Sequence, residues 1–454
     1  MQMRKVFCYI LLALLAFNAS AQSELTLPFM RDIFQSSYIN PSITPEHTLS
    51  LGFPGNSVYG QFITNGFVIN NIAEFRNDTM HVDPNKLLGE LKDNNMLFVG
   101  QNVDIFHLRT KIRNGYYWFA IRQNLNATFN YPKDLIGLAL QGNSAYAGSS
   151  LDFSNLKVDV SLYNEYSFGM MKEFPKWSFG GRISLLQGLS NVRFDPEVLN
   201  IEIDTAMYGH YGHADAKLYT AGIPRNSAGD PSIDHVDDMN WITNYFTNFK
   251  NKGFALSGGV TYKYDDRTRL SFSFYDLGFI NWKDSVQTYT LKGETDFNGL
   301  DMVAEWLYGG SVDVDSILQA MEDDFDRDTI YSSYRTWLHP KFNLTASYDL
   351  ARRTSLGFSF TGVYNSKFYP ALTFGLQQGI GRWFNIIATA SLNQRSFNNL
   401  GFGFMIKPGP TQIFIVADNL YPAINPLYTT NANFRFGMNW VFGRVKQPEG
   451  MPYR

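Results

Sequence analysis

The feature that most constrains this chain is an alternation of apolar and polar residues with a period of two, sustained over segments of roughly ten to twelve residues. Near the C-terminus Phe434, Phe436, Met438, Trp440 and Phe442 fall on one face, and Arg435, Gly437, Asn439 and Val441 on the other. The same division sets Phe254, Leu256, Val260 and Tyr262 against Ser257, Gly259, Thr261 and Lys263. It also sets Trp177, Phe179, Ile183 and Leu185 against Ser178, Gly180, Arg182 and Ser184, and Leu356, Phe358 and Phe360 against Gly357, Ser359 and Thr361. Period two belongs to a strand, whose successive side chains leave the backbone on opposite faces. The segments are about twice the mean globular strand, the length that a tilted strand needs to cross a bilayer. Small and hydroxylated residues on the second face suit a wetted, closely packed lumen better than a dry core.

Strands are expected near residues 57–69, 103–112, 116–129, 158–172, 176–188, 253–264, 268–278, 341–350, 354–364, 371–380, 384–394, 400–407, 411–418 and 431–442. That is about fourteen, and single-chain bacterial barrels have even numbers. Short connections such as Arg113-Asn114-Gly115, Glu173-Phe174-Pro175, Asp265-Asp266-Arg267, Ala351-Arg352-Arg353, Gly381-Arg382-Trp383 and Pro408-Gly409-Pro410 alternate with long ones such as 189–252 and 279–340. Short turns at one end and long loops at the other are the asymmetry of an outer-membrane barrel, with the turns in the periplasm. The predicted fold is all-β: a transmembrane antiparallel up-and-down barrel over 49–443, with a periplasmic tail at 444–454. The mean hydropathy of -0.20 is compatible with this, because alternation halves the hydropathy of each strand. The 38 Phe, 26 Tyr and 8 Trp fit aromatic girdles at two interfaces. Beyond the leader, no stretch approaches about 18 uninterrupted apolar residues, which excludes a helical membrane protein.

The first residues set the compartment. Arg4 and Lys5 form a positive region, Val6 to Phe17 an apolar run of about 12 residues, and Ala19-Ser20-Ala21 a small-x-small cleavage site, so 1–21 reads as a signal peptide. The run falls short of the roughly 20 residues of a spanning helix. The single cysteine, Cys8, lies inside the leader, which leaves the mature protein no disulfide framework. Losing Arg4 and Lys5 takes 38 basic and 41 acidic residues to 36 against 41, a net charge of -5 without any basic block, so nucleic-acid binding is not expected. Residues 22–48, with Pro28, Pro41 and Pro45, should be extended and irregular, either plugging the lumen or staying in the periplasm. Short helices are expected in two long connections. One begins at Asp83 as N-cap and Pro84, with Leu87, Leu88 and Leu91 on one face; the other follows Val314, Ile317, Leu318, Met321 and Phe325. Each is read as packing over the barrel mouth.

Several groupings carry the residue types of chemical sites. His210, His213 and Asp215 have metal-ligand spacing but sit in a glycine-bearing segment read as a long loop. Asp324, Asp326 and Asp328 open like a calcium loop, yet Thr329 and Arg335 stand where Gly and Glu are required. Asp230, Asp234, Asp237 and Asp238 around His235 read as a solvated acidic surface. His107 lies within a strand, with no evident serine and acidic partners in the sequence for a hydrolytic triad. No metal, cofactor or enzymatic activity is therefore expected. Arg122, Arg182, Lys263, Arg269 and Arg435 all fall on the polar face. They are candidate lumen-lining residues, either biasing the interior toward anionic groups or paired with lumen carboxylates and plug residues that fill the barrel.

The chain resembles the outer-membrane barrels of unknown function widespread in Bacteroidota, which are similar in architecture to the long-chain fatty-acid transporter family. The matching residues include Met30-Arg31 with Gln35-Ser36 and Asn40-Pro41, and Asp83-Pro84-Asn85-Lys86-Leu87-Leu88 running to Asn95. They continue with Tyr163-Asn164-Glu165-Tyr166-Ser167-Phe168-Gly169, Gly180-Gly181-Arg182, Trp337-Leu338-His339-Pro340-Lys341-Phe342, Asp418-Asn419-Leu420 and Phe434-Arg435-Phe436-Gly437. The resemblance implies an outer-membrane location and brings no established activity. With the N-terminal segment, it implies passage of a small hydrophobic or amphipathic molecule through a plugged barrel. The alternative is a non-enzymatic scaffold that holds a secretion, motility or surface-attachment partner, as in barrels associated with type IX secretion; outer-membrane lipid surrounds the protein in either case. Mass determination of the protein extracted from its own membrane should give a chain beginning at Gln22, and an intact Met1 would overturn the leader.

Overall fold

The structure, a computed structural model, describes residues 24–76, 79–205, 210–223, 243, 247–297, 326–365, 367–381, 383–393 and 399–445. The leader, the helical stripe from Val314 to Phe325, the acidic residues around His235, Asp324 and the tail beyond 445 lie outside the described residues.

Fourteen antiparallel strands close into one barrel. They are β1 (His47–Gly52, resuming as Ser57–Thr64), β2 (Asn94–Ile112), β3 (Gly115–Pro132), β4 (Lys157–Glu173), β5 (Trp177–Ile203), β6 (Lys252–Lys263) and β7 (Thr268–Trp282). The circuit continues through β8 (Tyr334–Trp337, resuming as Lys341–Ala351), β9 (Thr354–Asn365), β10 (Lys367–Ile380), β11 (Phe384–Asn393), β12 (Asn399–Ile406), β13 (Thr411–Ala417) and β14 (Asn431–Arg444). Each pairs with its successor, and β1 closes the circle between β14 and β2, with Leu49 opposite Phe442 and Thr110, and Tyr59 opposite Arg435 and Asn102. Closure removes every sheet edge, which matters in a bilayer, where unpaired backbone groups find no water. The seam carries one excursion, Phe53-Pro54-Gly55-Asn56. Pro54 has no N–H to give, and Gly55 turns the chain at φ 75°, a conformation that a side chain would strain. The ladder is spanned there by Gly55 N–H to Asp104 O at 3.0 Å and Met438 N–H to Asn56 O at 2.6 Å.

The alternation read in the sequence separates outside from inside. Phe179, Ile183, Phe374 and Phe434 are 50%, 51%, 54% and 56% exposed, whereas Arg182 and Arg435 are 2% and 1% exposed. The apolar face is the outer wall, a band for lipid, and the polar face lines the interior. Among the described residues no helix is long and apolar enough to cross a membrane. The connections 113–114, 174–176, 264–267, 352–353, 381–383 and 407–410 gather at one end, the turn end, where the chain enters at His47 and leaves at Arg444. The other, loop end carries the long connections, although β9 and β10 are joined there by residue 366 alone.

Several strands outrun their expected limits: β2 starts at Asn94 rather than 103, β5 reaches Ile203 rather than 188, and the first strand begins at His47 rather than 57. The loop-end extensions depart from the simple rule of apolar outward and polar inward: Met96 and Phe98 of β2 pack on Ile63, and Ile201 and Ile203 of β5 pack on Leu138, Leu151 and Phe153. The far part of β5 supports a sheet beyond the barrel rim, pairing with His210–Ala221, which pairs with Gln287–Phe297, itself paired with Asp326–Ile330. The segment from His210 to Asp215 is therefore a strand, not the loop expected. His213 faces Glu294 at 3.7 Å and Asp215 binds Lys292 at 3.1 Å, both across to the neighbouring strand.

Helix α1 (Pro84–Glu90) forms as its signals require. The Asp83 carboxylate accepts from the N–H groups of Asn85 and Lys86 at 2.9 and 3.2 Å, and Pro84 fills the first helical position. Leu88 and Leu91 pack on Tyr131 at the loop end of β3. A second helix, α2 (Lys133–Gln141), was not expected. It continues straight from Pro132, ends at Gly142 with φ 74°, and buries Leu138 against Phe153 and Ile201. Residues 24–46 are irregular as expected, but hold two short 3-10 turns, Leu27–Phe29 and Phe34–Tyr38.

Because Phe358 sits on the outer face near the middle of β9, Phe358→Arg should cost about 2–4 kcal/mol of folding stability in a bilayer. Urea unfolding in lipid vesicles measures this, and a cost near zero would show that the band does not meet lipid.

Candidate functional site in the barrel lumen

A barrel of this size is too wide for wall side chains alone to fill. The N-terminal segment enters it: Leu25, Leu27, Ile33 and Phe34 are 1% exposed or less. Leu27, Phe29, Met30, Ile33 and Ile39 pack on inward residues of β7, β11, β12 and β13, namely Tyr275, Ile387, Met405, Phe414 and Val416. On the opposite side Phe34 and Tyr38 join Tyr116, Trp118 and Met171 of β3 and β4. Glycines in the wall give the segment room. A Cβ on Gly180 would lie 2.1 Å from the Pro41 carbonyl oxygen, and one on Gly357 would lie 2.4 Å from the Phe29 ring.

Polar contacts fix the register of the segment against the wall. The Arg435 guanidinium donates to both carboxylate oxygens of Glu24 and to Ser57 Oγ. Thr26 N–H donates to Asp418 Oδ1 at 2.7 Å, and the hydroxyls of Thr26 and Thr389 lie 2.8 Å apart. The Gln35 amide donates to Asp104 and Asn439 at 3.0 and 3.1 Å and accepts from Asn439 at 3.0 Å. Asn385 donates to Asp32 at 2.9 Å, and the hydroxyls of Ser42 and Thr261 meet at 2.7 Å. These bonds are made by side chains on at least one partner, and the segment forms no ladder with the wall between Glu24 and Glu46.

Arg122, Arg182, Lys263, Arg269 and Arg435 each lie beside a carboxylate. Arg122 clasps Glu165 (Nη2 to Oε2 2.6 Å), whose other oxygen accepts from Ser184 at 2.7 Å. Arg182 lies 3.7 Å from Glu165, 3.4 Å from Asp276 and 3.0 Å from Ser257 Oγ. Lys341 Nζ completes the chain at 2.7 Å from Asp276. Asp276 belongs to a bulge where the β6–β7 register slips between Leu256 and Gly258, and its backbone stands at φ 60°. This strained conformation puts its carboxylate between Arg182 and Lys341. Tyr38 stacks its ring under Arg122 (4.4 Å) and Arg182 (5.4 Å), coupling the ladder to the N-terminal segment. Arg435 is separate, answered by Glu24. Lys263 with Glu173 at 2.5 Å, and Arg269 with Asp349, lie at the turn end, away from the other three.

His107 has a serine partner that the sequence conceals: its Nε2 lies 3.0 Å from Ser50 Oγ, and its Nδ1 faces Asn56 Nδ2 at 3.4 Å. Ser50 and His107 are 0% exposed, and Phe34 stacks flat on the imidazole at 3.9 Å. With Phe34 in place no substrate can reach the pair, which here serves to seat the segment.

The segment leaves a cavity on each side. The loop-end cavity, about 120 Å³, lies between Glu24, Tyr38 and Ile39 and the walls of β1–β4, β7 and β8. The turn-end cavity, about 110 Å³, is bounded by Arg31 and Asp32 of the segment with Arg269, Asp349, Lys407 and Gln412 of the wall.

Fold and interior together define a membrane-spanning barrel whose lumen is occupied by its own N-terminal segment. The chain belongs to the family of unknown function DUF5723, which it matches over residues 41–418. No curated protein matches it. Among solved structures it is similar to the toluene transporter TodX of Pseudomonas putida, at 9% identity over 93% of this chain and 97% of that one, with a TM-score of 0.44. It is similar also to a TodX mutant described as a monoaromatic hydrocarbon channel (9% identity, 89% and 93% coverage, TM-score 0.46) and to a Pseudomonas aeruginosa homologue of the long-chain fatty-acid transporter (11%, 90% and 94%, TM-score 0.42).

Because Gly180 admits the Pro41 backbone, Gly180→Val should unseat the segment while the barrel still folds. The readout is tryptic cleavage after Arg31, absent in the wild type and present in the variant, with heat-modifiable gel mobility reporting an intact barrel; an equally protected variant would contradict the seating.

Proposed function

We propose that this protein is an outer-membrane channel, turns toward the periplasm, that takes a small amphipathic molecule into the loop-end cavity and releases it past a movable N-terminal segment. One observation carries the reading: the segment that divides the two cavities is held by side-chain contacts and no strand pairing. A segment in the ladder would be part of the wall, whereas one seated by separate side-chain contacts can leave and return with the barrel intact. The mixed lining, with Phe98, Ile39 and Leu338 beside amides and hydroxyls, suits a molecule with an apolar and a polar part. A scaffold is the second reading, favoured by the sheet standing beyond the rim of β5, which offers a surface for a secretion or surface partner.

The test locks the segment. In a mature chain without cysteine, Thr26→Cys with Thr389→Cys replaces two hydroxyls 2.8 Å apart by a disulfide. In planar bilayers the wild type should show transient ion conductance. The oxidised double variant should be silent until a reductant is added. Equal conductance in locked and unlocked protein would sink the channel reading, and stoichiometric co-purification of a second protein would then support the scaffold.

A further inference from the structure

The turn-end cavity carries an excess of positive charge that the loop-end cavity does not. Its cations converge from separate elements: Arg31 from the N-terminal segment, Arg269 from β7, Arg352 and Arg353 from the β8–β9 turn, Lys407 from the β12–β13 turn and Arg444 from the end of β14. Against these six stand three carboxylates, Asp32, Glu46 and Asp349, so the lining sums to +3. The loop-end cavity sets Arg122 and Lys341 against Glu24, Asp159 and Asp276, and both of its cations are bound to carboxylates, at 2.6 and 2.7 Å.

Two of the turn-end cations, Arg353 and Lys407, form no ion pair with a carboxylate among the described residues. Both side chains point to the lumen. The stem of Arg353 lies over Gly379, where an added Cβ would come 3.3 Å from the Arg353 Cβ and 3.6 Å from its Cγ and Cδ. Gly375, on the same face of β10, is covered by Phe29 of the N-terminal segment, so that face is the inner one. Lys407 Nζ lies 3.0 Å from Nε2 of His47, which is 5% exposed. An ammonium only donates, so the imidazole accepts as a neutral ring and supplies no counter-charge. Arg353 and Lys407 are half-buried and sit in the turns themselves, within reach of a solute arriving from that end.

From this we infer that the turn-end cavity binds a phosphate group, held by Arg353 and Lys407. A cleft lined by one sign of charge within low-dielectric walls focuses its field and concentrates the opposite ion. A phosphate monoester carries about -1.5 to -2 near neutral pH and offsets most of the excess, where a single carboxylate would leave the greater part of it. Its oxygens also point in several directions, which suits cations that arrive from different turns around one space, whereas a carboxylate presents two oxygens in one plane. A neutral or cationic solute would leave the excess standing. The inference goes beyond the channel reading and needs neither flux nor a movable segment.

The test is titration calorimetry on the full-length mature protein in lauryldimethylamine oxide, a detergent without a phosphate that could compete. The probes are inorganic phosphate, the short-chain lipid dihexanoyl phosphatidic acid, and acetate. Both phosphate probes should bind, with acetate weaker. Arg353→Gln and Lys407→Gln should each weaken phosphate about tenfold, the factor that one hydrogen bond to a charged group contributes. Lys176→Gln removes an exposed lysine of the β4–β5 turn, at the same end but outside the cavity, and should change nothing. Heat-modifiable gel mobility shows that each variant is a folded barrel. Phosphatidic acid binding no tighter than inorganic phosphate would assign the site to a soluble phosphate, and tighter binding would assign it to a lipid head group; both uphold the phosphate chemistry. No binding of either phosphate probe, acetate binding as tightly as phosphate, or phosphate binding indifferent to both cavity substitutions would each overturn the inference. Since the disulfide lock reads ion conductance and needs no ligand, a negative titration leaves the channel reading standing, and an ineffective lock leaves the phosphate site.

Discussion

The rest of the structure depends on the seam between β1 and β14. In hydrocarbon an unpaired N–H or carbonyl has no water to turn to, so the sheet must close, and closing fourteen strands fixes a lumen that wall side chains cannot fill. Everything inside follows from that width. The chain fills the space with residues 24–46, and the wall gives up side chains at Gly180 and Gly357 so that backbone and ring can approach. The seam is also where the strand breaks, at Phe53 to Asn56, and the break is tied back by Asp104 O and Met438 N–H, close to Asn439 and His107 of the wall and Gln35 of the seated segment. Closure and filling therefore meet in one cluster of amides.

Filling a lumen with polar residues obliges their mutual satisfaction. A buried guanidinium without a partner costs several kcal/mol, and removing one partner of a buried pair costs roughly 3–5 kcal/mol. This is why Arg122, Arg182 and Arg435 come with Glu165, Asp276 and Glu24, and why a strained residue is tolerated at Asp276: its left-handed backbone is the means by which one carboxylate serves both Arg182 and Lys341. The ladder ties β3, β4, β5, β7 and β8 together on the lumen side.

The barrel was legible in the sequence because a bilayer imposes one simple rule on each strand, apolar outward, that repeats every second residue. Each expected strand has its counterpart, and the cap of α1 was readable from Asp83 and Pro84 alone. What failed to show has physical reasons of its own. Beyond the barrel rim the partners change: Leu199, Ile201 and Ile203 of β5 pack on α2 and its neighbours, and the strand His210–Ala221 buries the small Ala214 and Ala216, which a hydropathy pattern passes over. Nothing local in the sequence names the partners of the cations: Glu24 meets Arg435 across 411 residues of chain, and Glu165 meets Arg122 across 43. A pairing made by closing a circle leaves no local signature.

The way the segment is held decides what the molecule can do. A strand ladder is cooperative, because each backbone bond positions the next, and it releases only when the sheet opens. Separate side-chain bonds, such as Thr26 to Thr389 or Ser42 to Thr261, can break singly, and each freed wall group exchanges its bond for one to water entering the lumen. Most of the cost of displacement is then the exposure of the apolar contacts of Leu27, Phe29, Met30, Ile33 and Phe34, a local matter that leaves the fourteen-strand ladder untouched.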